Sequence, residues 1–374
     1  YMFQTNAEQD IVKEIKNQEI GMSEVMNKIS EIIFDSIYTT KKYTTDKFGS
    51  KYSFDFNQKL DDKPYKNNQN NDISLNIITP SWGGSRDETS LKMTSGQENQ
   101  VLVVLPNDST FREEVRTAMQ IEKYLHLNFG KSYDEYAVII DGKGKESKER
   151  LEHAKAFLTE AIEDSKIYVK GSETENKTSN INEKIGTAFK KIVALVFNKL
   201  SYIDSPKKES DIREMLSDHL QGQFSIESNK EDNKNAIDDV RRTIESNSYG
   251  HFSTPLKELI DRYTKAPYGF METDVEWIVA KLFKSGEICL YMNSESVSLV
   301  NRSIDDIMDY LLKSKNHEKL IIKSREKIDD KVKQNAKDVM KELFGKVAEV
   351  SDDDSIMKSF IDAAKEFDNE LRIL

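Results

Sequence analysis

The sequence predicts a helix-rich α+β protein: a small mixed sheet covered by helices, then a winged-helix-like module, then a charged helical C-terminal region. Three observations carry that reading. Alternating segments at Tyr52-Ser53-Phe54-Asp55-Phe56 and Ile73-Ser74-Leu75-Asn76-Ile77 precede an unbroken apolar run from Val101 to Leu105. Residues 254–300 order themselves as helix, tight turn, helix, glycine and two short strands. Beyond them, helical spacing continues on a densely charged background.

Residues 1–45 read as a helical segment. Ile11, Val12, Ile15, Val25, Met26, Ile29, Ile32 and Ile33 follow the three-four spacing that gathers side chains on one face. Gly21 divides the segment, with Ser23 expected to cap the second helix. A polar, turn-rich stretch runs from Thr39 to Ser50.

Residues 50–205 read as an α/β region. The two alternating segments are expected as half-buried strands, separated by a polar loop from Asp61 to Asp72. Ser81-Trp82-Gly83-Gly84-Ser85 opens a second loop. Val101 to Leu105 is expected as a fully buried strand ended by Pro106, with Asp108 or Ser109 capping a helix that runs to about Leu127. Phe111, Val115, Ala118, Met119, Ile121, Tyr124 and Leu125 give that helix an inner face. Tyr136 to Ile140 fits either a short strand or the start of the next helix, which is expected from Ser147 to about Asp164. Ile167-Tyr168-Val169 is a strand ended by Gly171, and Ile181 to Leu200 an amphipathic helix.

Residues 206–300 are expected as a helical region that ends in the winged-helix-like module, 254–300. Thr254 caps a helix with Pro255 in its first turn. Pro267-Tyr268-Gly269-Phe270 turns, Thr273 caps a second helix over Asp274 to Lys284, and Gly286 stops it. Glu287 to Tyr291 is a strand and Val297-Ser298-Leu299 its return. Residues 301–374 read as helical, with a short strand at Leu320-Ile321-Ile322 and a break near Gly345 and Asp352-Asp353-Asp354.

Composition excludes several functions. The chain has 374 residues, of which 66 are acidic and 55 basic, for a formal charge of −11. That balance excludes a strongly basic nucleic-acid protein, because counterion-release binding needs concentrated positive charge. No apolar run reaches the ~18–20 residues needed to span a bilayer, and no secretory signal opens the chain. Cys289 is the lone cysteine, so an internal disulfide and a multi-cysteine zinc site are excluded and the cytoplasm is the expected compartment. The absence of an initiating methionine and the apolar end Leu371-Arg372-Ile373-Leu374 are expected of a piece of a longer protein.

Motifs for catalysis are weak. Gly130-Lys131-Ser132 matches the end of a phosphate-binding loop, but Leu125 stands where its first glycine belongs. Gly142-Lys143-Gly144-Lys145 reads as a solvated turn, and Asp108 after the buried strand as a helix cap rather than a Mg²⁺ ligand. His126, His153, His219, His251 and His317 are far apart and form no close metal-type pair. Asp352-Asp353-Asp354 reads as a solvated acidic turn. Cys289, on an apolar strand, reads as core. No catalytic residue, cofactor site or metal site is expected.

In helix-turn-helix proteins that read DNA, the recognition helix presents its first turn to base edges. Here that turn holds Glu272, Asp274 and Glu276, which suit a helix N-terminus but repel phosphates. Lys281 and Lys284, with Arg241 and Arg242 upstream, are the residues available for a nucleic-acid backbone. Trp277, Tyr268 and Phe270 are the aromatic residues available for a protein partner, packing of Trp277 against the wing being the alternative.

Thr254 to Ile260, Ala266-Pro267-Tyr268-Gly269-Phe270 and Val275 to Gly286 resemble the "PYGW"-type segment of the BREX phage-exclusion P-loop protein family, BrxC/PglY. Phe54 to Asn57, Leu75 to Pro80, Val101 to Pro106, Ala161 to Gly171 and Thr187 to Lys191 fit the same family in the same order. Phe270 stands where the family often has tryptophan. The resemblance implies a region downstream of an AAA-like ATPase module, with ATP and Mg²⁺ bound only in that module. It implies a non-catalytic scaffold in anti-phage defence, whose partners are the BREX methyltransferase and phosphatase-like component, with self-association also expected. A DNA-contacting winged helix in the same complex is the other reading.

Overall fold

Two compact units organise the computed structural model, residues 1–45 with 53–196 and residues 46–52 with 197–374. It describes residues 2–47, 49–66, 70–128, 137–175, 178–217, 232–299, 301–325, 330–346 and 353–373. The phosphate-loop-like Gly130-Lys131-Ser132, as well as His219 and Asp352, lie outside the described residues.

The first unit opens with α1 (Met2–Lys16) and α2 (Met22–Ile32), followed by a wide helical turn, Ile33–Ile37. Gly21, not Ser23, is the cap of α2, because the Glu24 side chain reaches back to accept from Gly21 N at 2.8 Å. The sheet comprises β1 (Lys42–Lys47), β2 (Ser50–Leu60), β3 (Lys63–Pro64), β4 (Ile73–Ile78), β5 (Gln100–Val104), β6 (Lys166–Val169) and β7 (Ser172–Glu173). Its order is β1-β2-β4-β5-β6-β7, with β3 paired to β2. β2, β4 and β5 run parallel, while β6 and β7 are antiparallel additions. The helices are α3 (Glu88–Gln97), α4 (Thr110–Leu127), α5 (Ala137–Glu163) and α6 (Ile181–Val196).

Strand β2 alternates in and out as its sequence does. Strand β4 differs from the half-buried strand expected: every one of its residues is buried. It lies centrally, and its polar positions bond sideways within the sheet layer. Asn76 Nδ2 donates to Asp62 Oδ1 at 2.7 Å and to Gln100 Oε1 at 3.1 Å. A buried amide is tolerated when its partners are in place. Leu91 of α3 packs with Ile78, Leu102, Val104 and Tyr168. Phe189 of α6 meets Phe56 with ring centroids 4.4 Å apart.

Helix α4 ends at the expected Leu127; of the two cap candidates, Ser109 is the cap residue, and Asp108 before it accepts from Thr110 N at 2.9 Å. Helix α5 starts at Ala137, which makes the segment to Ile140 the start of the helix and not a strand, and carries Gly142-Lys143-Gly144-Lys145 through as helix. Two glycines weaken a helix, but packing against α4 overrides them: a Cβ at Gly144 would meet Leu125 at 3.8 Å. Arg150 also joins Glu114 of α4 at 3.0 Å.

The second unit continues with α7 (Glu209–Ser217), α8 (Lys234–Tyr249), β8 (Thr254–Pro255), α9 (Leu256–Tyr263), α10 (Glu272–Lys284), β9 (Ile288–Met292) and β10 (Glu295–Val297). From α8 onward this is the helix-strand-helix-helix-strand-strand order of a winged helix. Next come α11 (Ile304–Leu312), α12 (Ser314–His317) and β11 (Leu320–Ser324). β11 enters the wing's sheet between β9 and β8, giving the antiparallel order β10-β9-β11-β8. The final helices, α13 (Asp330–Phe344) and α14 (Asp353–Ile373), pair through Met340, Ile356 and Ala363, with Phe344 edge-on to Phe360.

Replacing Asn76 by Ala removes the shared partner of Asp62 and Gln100. It should cost about 2 kcal/mol, the penalty of stranding buried polar groups, read as a lower urea midpoint of the first unit.

Candidate functional site

The winged helix is the one module whose architecture has a binding role by precedent, so its second helix, α10, is the place to build from. Asp274, Val275, Glu276, Trp277, Ile278, Val279, Ala280, Leu282 and Phe283 are all buried. A helix buried over most of its surface belongs to a core; Glu272, Thr273, Lys281 and Lys284 are its residues that reach solvent. The cover comes from α7, α8, α9, α11 and β9. A recognition helix that enters a DNA groove needs an open face, and α10 keeps toward solvent only a narrow one, at Glu272, Thr273, Lys281 and Lys284.

Its start is fixed by a buried carboxylate. The sequence reading put the cap at Thr273; the cap residue is Met271, and the helix begins at Glu272. Asp274, fully buried, accepts from Met271 N at 3.1 Å, Lys207 N at 3.0 Å and Tyr52 Oη at 2.8 Å. Burial raises its pKa, against the lowering effect of these three donors.

The basic residues assigned to nucleic acid are spread through internal contacts. Arg241 bonds the carboxylates of Glu287 and Asp238, and Arg242 Nε donates to Asp238 O at 3.1 Å. Lys284 Nζ donates to Met215 O. Lys281 Nζ lies 5.3 Å from the Trp277 ring centroid, with Lys207 Nζ at 4.8 Å from the same ring. Such cation–π contacts add modest stability.

The aromatic residues assigned to a partner are inside the unit: Trp277, Tyr268 and Phe270 are 7%, 5% and 3% exposed. Tyr268 and Phe270 form one cluster with Tyr263, centroids 4.4–5.7 Å apart. Tyr263 and Tyr268 both donate to Asp239 Oδ1, at 3.0 and 2.8 Å, and Lys199 joins Asp239 at 3.1 Å. Cys289 is half-buried on β9.

Sequence reasoning missed one constellation. Glu272 and Glu276, one helical turn apart on α10, face His317 at the end of α12. His317 Nδ1 is 3.4 Å from Glu272 Oε1, and Nε2 is 3.5 Å from Glu276 Oε1. Nε2 also lies 2.7 Å from Leu311 O. Burial, together with the charges of Glu272 and Glu209, pushes the Glu276 carboxyl up to about 8. The spacing of the two glutamates was visible in the chain; the 40 or so residues to His317 hid the third member.

Fold and site together define the class of region: an α/β sheet domain followed by a winged helix whose second helix is largely buried. The comparisons with known families agree. Residues 18–192 match the model described as the BREX ATP-binding protein BrxC 4th domain with six-stranded beta sheet, and residues 199–326 match its winged helix-turn-helix domain. The chain belongs to the BrxC family of BREX proteins. Both matched parts are domains other than the family's ATPase module. The winged-helix match ends at residue 326, so it takes in β11 and His317. No solved structure matches the chain significantly. No helix among the described residues is long and apolar enough to cross a membrane.

Asp274→Ala strands three buried donors at once. It should destabilise the second unit by about 3 kcal/mol, measured by urea unfolding; Glu258→Ala, on the exposed side of α9, should stay within ~0.5 kcal/mol of wild type.

Proposed function

We propose that this region is a non-catalytic scaffold of its BREX parent, holding assembly and partner contacts while ATP and Mg²⁺ are bound in the parent's ATPase module. The observation that carries the reading is the enclosure of α10. The helix that would otherwise read DNA is spent on the core, and the cations nearest it are engaged with Glu287, Asp238, Met215 and Trp277. The charge of −11 points the same way. The partners are the BREX methyltransferase and phosphatase-like component in the cytoplasm, and a second copy of the parent. They meet surface elements other than the buried Trp277, Tyr268 and Phe270. The domain boundaries follow the two units, with β11 counted in the winged helix.

The second reading, a DNA contact, rests on the winged helix-turn-helix architecture and would place the β9–β10 wing, with Lys281 and Lys284 behind it, on a backbone.

Co-purification with the tagged full-length parent should recover at least one of the two BREX components, and deletion of residues 18–326 should abolish recovery. Failure of the full-length parent to recover either would end the scaffold reading. Mobility-shift assays with duplex DNA at low salt should show no complex. A salt-dependent shift weakened in the Lys281→Glu/Lys284→Glu variant would install the DNA reading instead.

A further inference from the structure

We propose that Glu272, Glu276 and His317 bind one divalent transition-metal ion of the zinc type, clamping α12 onto the start of α10. Nothing in the scaffold reading requires such a site, and the two stand independently.

The three residues each offer a ligand atom, and those atoms lie within 4.8 Å of one another. The tautomer of His317 follows from its surroundings. A carbonyl oxygen only accepts, so Nε2, 2.7 Å from Leu311 O, carries the hydrogen. Nδ1 is then the atom turned towards Glu272, at 3.4 Å from its Oε1. With Nδ1 unprotonated, its lone pair and the Glu272 oxygen face each other across a gap that a bound cation would fill. With metal–ligand bonds of about 2.0–2.1 Å in a tetrahedral arrangement, neighbouring ligand atoms stand roughly 3.3 Å apart, so the Nδ1–Glu272 spacing suits a shared ion, and Glu276, whose Oε1 is 3.5 Å from Nε2, would turn its carboxylate toward Nδ1 to join. Metal-binding histidines characteristically anchor the other ring nitrogen on a carbonyl or carboxylate, and Leu311 O fills that role here.

Burial and charge point to the same occupant. Glu276 and His317 are 2% and 1% exposed. Among the described residues, His317 is the only ion-pair partner of Glu276. The other charges acting on Glu276 are those of Glu272 and Glu209, both carboxylates. A buried carboxylate without a lysine or arginine is costly, and a divalent cation between two carboxylates is neutralised by them. An imidazole with two carboxylates selects zinc-like ions over Mg²⁺ and Ca²⁺, which favour all-oxygen sites. Glu272 is half exposed at its side chain, which leaves the remaining coordination position to water.

The ion has a structural use. His317 ends α12 only three residues before β11, and β11 is the strand held between β9 and β8. A clamp from α10 to α12 fixes where that strand enters the sheet.

The test uses the whole chain, stripped with EDTA and freed of chelator. Zn²⁺ titrated by calorimetry should bind with one equivalent at the site. At a hundredfold excess over Kd, the melting temperature should rise on the order of 5 °C. Co²⁺ in place of Zn²⁺ should give the visible absorption of a low-symmetry site, and excess Mg²⁺ should not displace it. Glu276→Gln and His317→Gln should each weaken binding more than about tenfold. Glu272→Gln changes an exposed residue, so it should keep the metal-free melting temperature while also losing affinity; it carries the test if the buried variants unfold. Absence of a stoichiometric Zn²⁺ complex, or affinity unchanged in Glu272→Gln, overturns the proposal.

Discussion

A helix with nine of its thirteen residues buried has to be wrapped, and α10 imposes that demand on its neighbours in the second unit. Val275, Ile278, Val279, Ala280 and Leu282 are completely buried. One layer of neighbours cannot cover them, so α7, α8, α9, α11 and β9 are all recruited. At ~25 cal/mol per Å² of apolar surface removed from water, each of the valine, isoleucine and leucine side chains contributes of order 1.5–3 kcal/mol. The enclosure is therefore a main stabilising feature of the unit, and it uses the surface that a helix-turn-helix protein ordinarily keeps for DNA.

The wing answers the same demand. A strand pair alone leaves unpaired backbone groups along its edge. Here β11, arriving from beyond α11 and α12, fills the space between β9 and β8. Ile322 pairs with Leu290 and Thr254, so three segments far apart in the chain share one register. The closing strand makes the winged helix a single body with the segment from 301 to 325, which periodicity alone assigned to the next region.

What was legible in the chain follows from how local each signal is. The buried strand at Val101, the alternation at Tyr52, the turn at Pro267 and the stop at Gly286 depend on neighbours within a few residues, and the structure has each of them. The burial of Asn76 was not legible, because it depends on Asp62 and Gln100 lying alongside it in the sheet. The helical state of Gly142 and Gly144 was hidden for the same reason: local propensity speaks for a turn, and only the packed surface of α4 reverses it. Trp277 reads equally as a surface anchor or a core residue until α7 and α11 are seen to close over α10. At the candidate site, the acidic first turn of α10 was visible, and its consequence was not, since His317 comes from another element.

That first turn shows how one sequence feature divides into separate physical roles. Three carboxylates at a helix N-terminus all gain from the positive end of the helix dipole, yet only Glu272 stays partly in solvent, with its carboxylate 3.4 Å from His317 Nδ1. Asp274 is turned inward and becomes a knot of hydrogen bonds that fixes where the helix starts. Glu276, one turn beyond Glu272, is buried beside an imidazole and, among the described residues, forms no ion pair with a lysine or arginine. Acidic residues two apart on a helix point to different sides, so the same charge pattern serves the surface at Glu272 and the interior at Asp274.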